Sequence, residues 1–194
     1  MTNNKNLFLE FERELSSTYG QFCVWNEFNN RDTFPYHFWK TSFSRVIYFS
    51  VANNCLSNLA KLTEKQNIRE DRKVLSIFHL VEVGLFSECS KTIEKIGKIR
   101  NKILAHKYLK VALNPNKFLD EMGLTHKELE NLFTKIINFL DEEKTKYDIK
   151  VHYKEYFNGL VKGYKDEIQI INNDLRLRIN RQSQLAALRK KIVR

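Results

Sequence analysis

Glycine and proline are scarce in this chain. Six glycines and two prolines in 194 residues make about 4 %, against ~12 % in an average protein. A β-sandwich or barrel of this length needs many turns and draws on both residues, as does a nucleotide fold built on glycine-rich loops. Cysteine is equally thin. Cys23, Cys55 and Cys89 are odd in number, widely spaced and form no CxxC pair, which argues against a disulfide framework and against a structural zinc site. No stretch approaches the ~18 apolar residues of a membrane span. The first residues, Met1 to Asn6, are polar, and the chain turns acidic by Glu10 without the apolar run of a signal peptide. The expectation is a cytoplasmic protein with no membrane association.

Several chemistries lack their signatures as well. GxxxxGK[ST], GxGxxG and GxSxG do not occur, which argues against a P-loop NTPase, a Rossmann enzyme and an α/β-hydrolase. His79-Leu80-Val81-Glu82 is not HExxH, and no pair of Glu-x-x-His motifs would build a di-metal carboxylate site. His37 and His152 have no partner at metal-ligand spacing, and His79, among Phe78, Leu80 and Val81, reads as a satisfied core histidine. No metal or other cofactor is expected.

What is abundant points to helices and to polyanions. With 42 % hydrophobic residues, including 14 Phe, 8 Tyr and 2 Trp, the chain has ample material for a core. Its formal charge of +10 favours a polyanionic partner through counterion release and steering. The apolar positions recur at helical spacing. A first aromatic-rich helix is expected from about Leu7 to Phe28. A break at residues 29–32 follows. A second helix, capped by Asp32 or Thr33 with Pro35 in its first turn, should run to about Thr63 and lie at the centre of the bundle. A charged connector, 64–73, leads to a third helix over Val74–Phe86 and a fourth over Ser87–Leu109. Asn114-Pro115 marks a turn, and a short helical piece ends near Gly123. Thr125 with Glu128 three residues on reads as a capping box opening a helix to about Lys146, with His126 as an exposed first-turn residue. Val151–Tyr156 is a short strand or a loop. Beyond Ile168 the pattern is helical and basic: residues 161–194 carry nine Lys/Arg against three Asp/Glu. This tail is either a solvated helix or a basic arm lying on RNA or on an acidic partner. The expected division is 1–150 as a helical bundle and 151–194 as a C-terminal extension.

One segment departs from ordinary amphipathic patterning. On an ideal helix Ile93, Ile96, Ile103 and Leu104 share one side, Arg100 falls among them, and His106 sits at the edge of the stripe beside Ile99. A guanidinium on an apolar face needs an anion or a route to water. Either Arg100 pairs with a buried carboxylate and His106 is a satisfied edge histidine, or the two belong to a site. Arg100 and His106 are separated by about 120° and ~9 Å along one helix. Two copies of the helix across a twofold axis would let both line one cleft.

The run Ile99-Arg100-Asn101-Lys102-Ile103-Leu104-Ala105-His106-Lys107-Tyr108, in an aromatic-rich helical chain of this size, resembles the HEPN superfamily. It is most similar to the abortive-infection (AbiU-type) branch of those prokaryotic defence and toxin proteins. Members carry an Arg, usually a polar residue after it, then a His after four to six intervening residues; Arg100, Asn101 and His106 fit with five. The long helix from Phe38-Trp39 to Leu62 also resembles that branch, and the resemblance spans roughly residues 5 to 145. It implies an all-α, HEPN-type antiparallel helical bundle with an additional C-terminal basic helix. It also implies a homodimeric, metal-independent endoribonuclease of a toxin–antitoxin or antiphage system, with RNA as substrate and a cognate antitoxin as partner.

RNA supplies its own nucleophile, the 2′-hydroxyl. The chain then needs an acid–base group near neutral pH and positive charge for the phosphate. His106 is the expected proton-transfer residue, Arg100 the phosphate clamp and Asn101 the orienting group, with Lys102 and Lys107 as backbone contacts. Some HEPN toxins are adenylylated by a nucleotidyltransferase-like antitoxin on a tyrosine two residues after the His. Tyr108 has that spacing, although that subtype places four residues between Arg and His. Two alternatives stand beside this reading: a non-catalytic HEPN-like dimerisation and partner-binding module, and a basic helical nucleic-acid-binding protein acting through its C-terminal arm.

Overall fold

In a computed structural model of the chain, residues 2–30, 42–64, 75–81, 83–105 and 119–192 are described. They are helical, with no strand among them. The chain is an all-α bundle. Among the described residues it is carried by α1 (Thr2–Asn29), α2 (Ser42–Leu62), α3 (Ser90–Ala105), α4 (His126–Glu143) and α5 (Tyr153–Ile192).

α1 is helical because its large apolar residues fall on one face. Phe8, Phe11, Leu15, Phe22 and Trp25 recur at three-, four- and seven-residue steps, and all are buried. Each such side chain contributes about 1.5–3 kcal/mol by leaving water. That face meets α2, α4 and α5. α2 packs on both α1 and α3 and buries Tyr48, Ala52, Cys55, Leu56, Leu59 and Leu62, but the more central place expected for it falls to α1, which meets three helices. The start expected for this helix at Asp32–Pro35 lies outside the described residues. α4 buries Leu129, Leu132, Phe133, Ile136, Ile137, Phe139 and Leu140. Its capping box forms as read: Thr125 Oγ1 accepts from the Glu128 amide at 3.1 Å, and Glu128 accepts from the Thr125 amide at 2.7 Å.

The segment Val74–Phe86 is not the α-helix that its periodicity predicts. Described residues there form two 3-10 turns, Ile77–His79 and Val83–Cys89, and the following helix begins at Ser90 rather than Ser87. The cause is Ser76. Its hydroxyl bonds the Glu64 carbonyl at 2.8 Å and the Leu62 carbonyl at 3.3 Å, tying this stretch to the end of α2. His79 Nδ1 accepts from the Ser76 amide at 3.2 Å, so His79 closes a tight capped turn, half-buried, instead of sitting in the core. Tertiary bonds of this kind override local propensity.

Of the stretch Val151–Tyr156, expected as a short strand or a loop, only 151–152 are irregular, and α5 already begins at Tyr153. The Tyr153 amide donates to Asp141 Oδ1 at 2.9 Å, an oxygen shared with Lys144 at 2.8 Å. This side-chain oxygen meets one of the orphan donors of the α5 start. Tyr153, Phe157 and Ile168 are buried in the common core, so the early turns of α5 belong to the bundle. At one point the approach is very close: a Cβ on Gly20 of α1 would lie 2.7 Å from Cζ of Tyr164 in α5. At 40 residues, α5 is about 60 Å long. No described helix is long and apolar enough to cross a membrane.

Candidate functional site

α3 is a strongly amphipathic helix. Ile93, Ile96 and Ile99 are buried, while Lys91, Glu94, Lys98 and Asn101 are exposed. Arg100 lies on the same side as Ile93 and Ile96, and it is half-buried there. Its side chain is 21 % exposed, and Nη1 donates to Glu64 Oε2 at 2.5 Å, a carboxylate 35 % exposed. Its Nε is buried and has no hydrogen-bond partner among the described residues. The anion that Arg100 needs is therefore supplied from the residue just past α2.

Glu64 is held there by its backbone. Its amide donates to the Lys61 carbonyl at 3.2 Å, and its own carbonyl accepts from Ser76 Oγ. Thr63, beside it, is buried and donates to the Leu59 carbonyl at 2.8 Å through Oγ1. The α2 terminus is thus fixed before the carboxylate reaches across to α3. No sequence signal marked Glu64, which stands at the edge of a charged connector.

Between the two helices lies an open groove of about 490 Å³, lined by Ala60, Thr63, Glu64, Ser90, Ile93, Glu94, Gly97, Lys98, Arg100 and Asn101. Gly97 borders open space there, since a Cβ on it would meet nothing within 4 Å. Lys98 is paired with Glu94 at 2.6 Å, and Thr63, Glu64, Ser90, Arg100 and Asn101 are the other polar residues of the lining. Arg100 and Asn101, neighbours in the sequence, both line the groove. Lys102 follows them on α3, but its side chain is not among those described. His106, Lys107 and Tyr108 lie outside the described residues.

No family model, curated protein or solved structure matches this chain.

A second ionisable group is sheltered elsewhere, and it corrects the sequence reading. His126 is not an exposed first-turn residue. It is half-buried, with its ring 4.5 Å from Trp25 and 6.1 Å from Phe22, centroid to centroid. Asn29 Oδ1 accepts from the Tyr48 hydroxyl at 2.8 Å. That fixes the amide so that Nδ2 faces the Trp25 carbonyl at 3.2 Å and His126 Nε2 at 3.3 Å. An amide donor at Nε2 places the ring proton on Nδ1, which is buried without a partner among the described residues. Burial pulls the His126 pKa below its usual 6.5, with Asp120 pulling weakly the other way. The signal was available: His126 stands three and seven residues before Leu129 and Phe133, on the face that α4 buries.

The remaining candidates are quiet. His152 is exposed, with Nδ1 3.2 Å from Lys144 Nζ, and His37 lies outside the described residues. Cys23, Cys55 and Cys89 are free thiols, and burial pushes Cys23 up to about 12, far from a reactive thiolate. No group of three or more His, Cys, Asp or Glu able to hold a metal occurs among the described residues.

Chemically, the groove offers a sheltered guanidinium, an exposed carboxamide and a carboxylate counter-ion. A guanidinium suits a phosphate or carboxylate ligand. An incoming anion must share or displace the Glu64 carboxylate to reach Nη1.

Proposed function

We propose that this chain is a metal-independent endoribonuclease of a toxin–antitoxin or antiphage abortive-infection system, acting as a homodimer in the cytoplasm. The observation that carries the reading is Arg100: a largely sheltered cation beside Asn101 at the end of an open groove, within a run that resembles the HEPN motif. The +10 charge of the chain supports RNA as the polyanion.

In this mechanism His106 removes the proton from a ribose 2′-hydroxyl, and the 2′-oxygen attacks the adjacent phosphorus. The bond to the 5′-oxygen breaks, that oxygen takes up a proton, and the product ends in a 2′,3′-cyclic phosphate. Arg100 neutralises the charge that builds on the phosphoryl oxygens, and Asn101 orients a phosphate oxygen or the imidazole. Lys102 and Lys107 hold neighbouring phosphates. Tyr108 is the candidate modification site for a nucleotidyltransferase-like antitoxin.

One observation favours a second reading. Arg100 already has an anion, Glu64, at 2.5 Å, which is what a purely structural arginine would have. In a non-catalytic dimerisation or partner-binding module the ion pair simply joins α2 to α3.

Cleavage of total cellular RNA by the purified protein, in EDTA and beside His106→Ala, separates the two. The ribonuclease reading expects cleavage by the native protein alone, with 2′,3′-cyclic ends. Indistinguishable behaviour of the two proteins overturns it in favour of the module.

A further inference from the structure

From Ile170 onward α5 presents apolar side chains that the bundle does not use. Ile170, Ile171, Leu177 and Leu185 are 68, 56, 58 and 58 % exposed. At 100° per residue they fall within a sector of about 120° and run along ~22 Å of helix. The buried face of α5, marked by Phe157, Ile168 and Asn172, is centred about 130° away around the helix, so this is a separate face. Asp174, Arg178 and Arg181 lie in the same exposed sector and are solvent-accessible; Arg178 pairs with Asp174 at 2.9 Å. From Leu175 to Arg194 the sequence carries seven Lys/Arg and no Asp or Glu.

We propose that this face docks an acidic amphipathic helix of a partner protein, with aliphatic residues meeting Ile170, Leu177 and Leu185 and flanking carboxylates meeting Arg178 and Arg181. Two features of the face select that occupant. A phosphate backbone gains nothing from exposed aliphatic residues, and no aromatic side chain follows Tyr164 in the sequence to stack bases. A second copy would bring two stretches of seven cations and no anions together, and like charges along a helical seam repel. A carboxylate-bearing apolar helix satisfies both components of the surface.

The test uses the full-length protein and a designed probe: a 25-residue helical peptide with Leu and Ile along one stripe and Glu on both flanks. Its binding is followed by fluorescence anisotropy, beside a 20-nucleotide oligo(A) RNA and phosphatidylserine vesicles, with sedimentation of the protein alone. The expected result is binding of the peptide, weakened about tenfold or more by Leu177→Ser with Leu185→Ser. Arg178→Gln with Arg181→Gln should flatten its salt dependence. Circular dichroism confirms that these surface variants keep their helix. The proposal is overturned if the peptide does not bind, if the leucine variant binds it equally well, or if RNA binding, vesicle binding or self-association is what the leucines control. Peptide binding and its loss in the leucine variant do not depend on whether the chain cleaves RNA, so this inference and the ribonuclease reading fail separately.

Discussion

His126 and Arg100 are both ionisable, both largely sheltered, and both reach across a boundary between helices, yet their surroundings differ in kind. His126 is enclosed by Trp25, Phe22 and an amide already committed to Tyr48. Burial among these groups favours the uncharged ring and outweighs the opposing pull of Asp120, so the pKa falls below its usual value. Arg100 keeps its charge beside an open groove, balanced by a carboxylate that is itself a third exposed. An enclosed group of the first kind is a packing element. A cation of the second kind has a counter-ion that can be exchanged for another anion. Of the two, only the Arg100 corner has the access that chemistry on a polymer demands.

The sharpest way to break this comparison is to neutralise each residue and measure RNA cleavage. Arg100→Gln removes the guanidinium from the proposed phosphate clamp, and activity should fall about 100-fold or more. His126→Gln should change it less than about twofold, since His126 serves the core. A reversed ranking, measured on folded protein at equal concentration, would move the active site to the α1–α4 corner.

Stability should rank the corners the other way. His126→Ala leaves a gap against Trp25 and removes the acceptor facing Asn29 Nδ2, so it should cost about 2–3 kcal/mol in urea unfolding. Glu64→Gln leaves Arg100 with a neutral partner at a half-open site and should cost about 1–2 kcal/mol. If the two losses are equal, or Glu64→Gln is the larger, the ion pair is a structural fixture and the groove loses its standing as an exchangeable anion site. Under the ribonuclease reading, Glu64→Gln should also tighten RNA binding several-fold by removing the competing carboxylate.

These two corners also show what a sequence can carry. The Thr125–Glu128 capping box, the aromatic face of α1 and the anomalous placement of Arg100 were legible because each is written within one or two turns of helix. Glu64 was not, because it meets Arg100 from 36 residues away across a connector with no periodic signal. Ser76 undid the helix expected over Val74–Phe86 by the same route, through hydrogen bonds to Leu62 and Glu64 carbonyls. His126 is the intermediate case. Its spacing to Leu129 and Phe133 placed it on the buried face, but its position just after a cap favoured reading it as solvated. What enclosed it, Trp25 and Asn29, comes from a helix about a hundred residues earlier.

The smallest expected effect is the most specific to the enclosed histidine. With its native pKa held below 6.5 by burial, His126 accepts a proton less readily folded than unfolded. The unfolded chain therefore takes up the proton first as pH falls. Stability is intact above about pH 6.5 and declines on acidification towards the lowered native value, at no more than about 1.4 kcal/mol per pH unit from this one group. Other groups titrate in the acid range, so the informative quantity is the difference between the native protein and His126→Gln. That difference should shrink steadily as pH drops from 7 to 5, because the variant lacks the acid penalty while sharing every other one. Glu64→Gln keeps the same histidine as the native protein, so the difference between those two should show no such convergence. A flat difference for His126→Gln would mean that the ring is as free to protonate in the bundle as in water, and the contrast between the two corners would collapse to geometry alone.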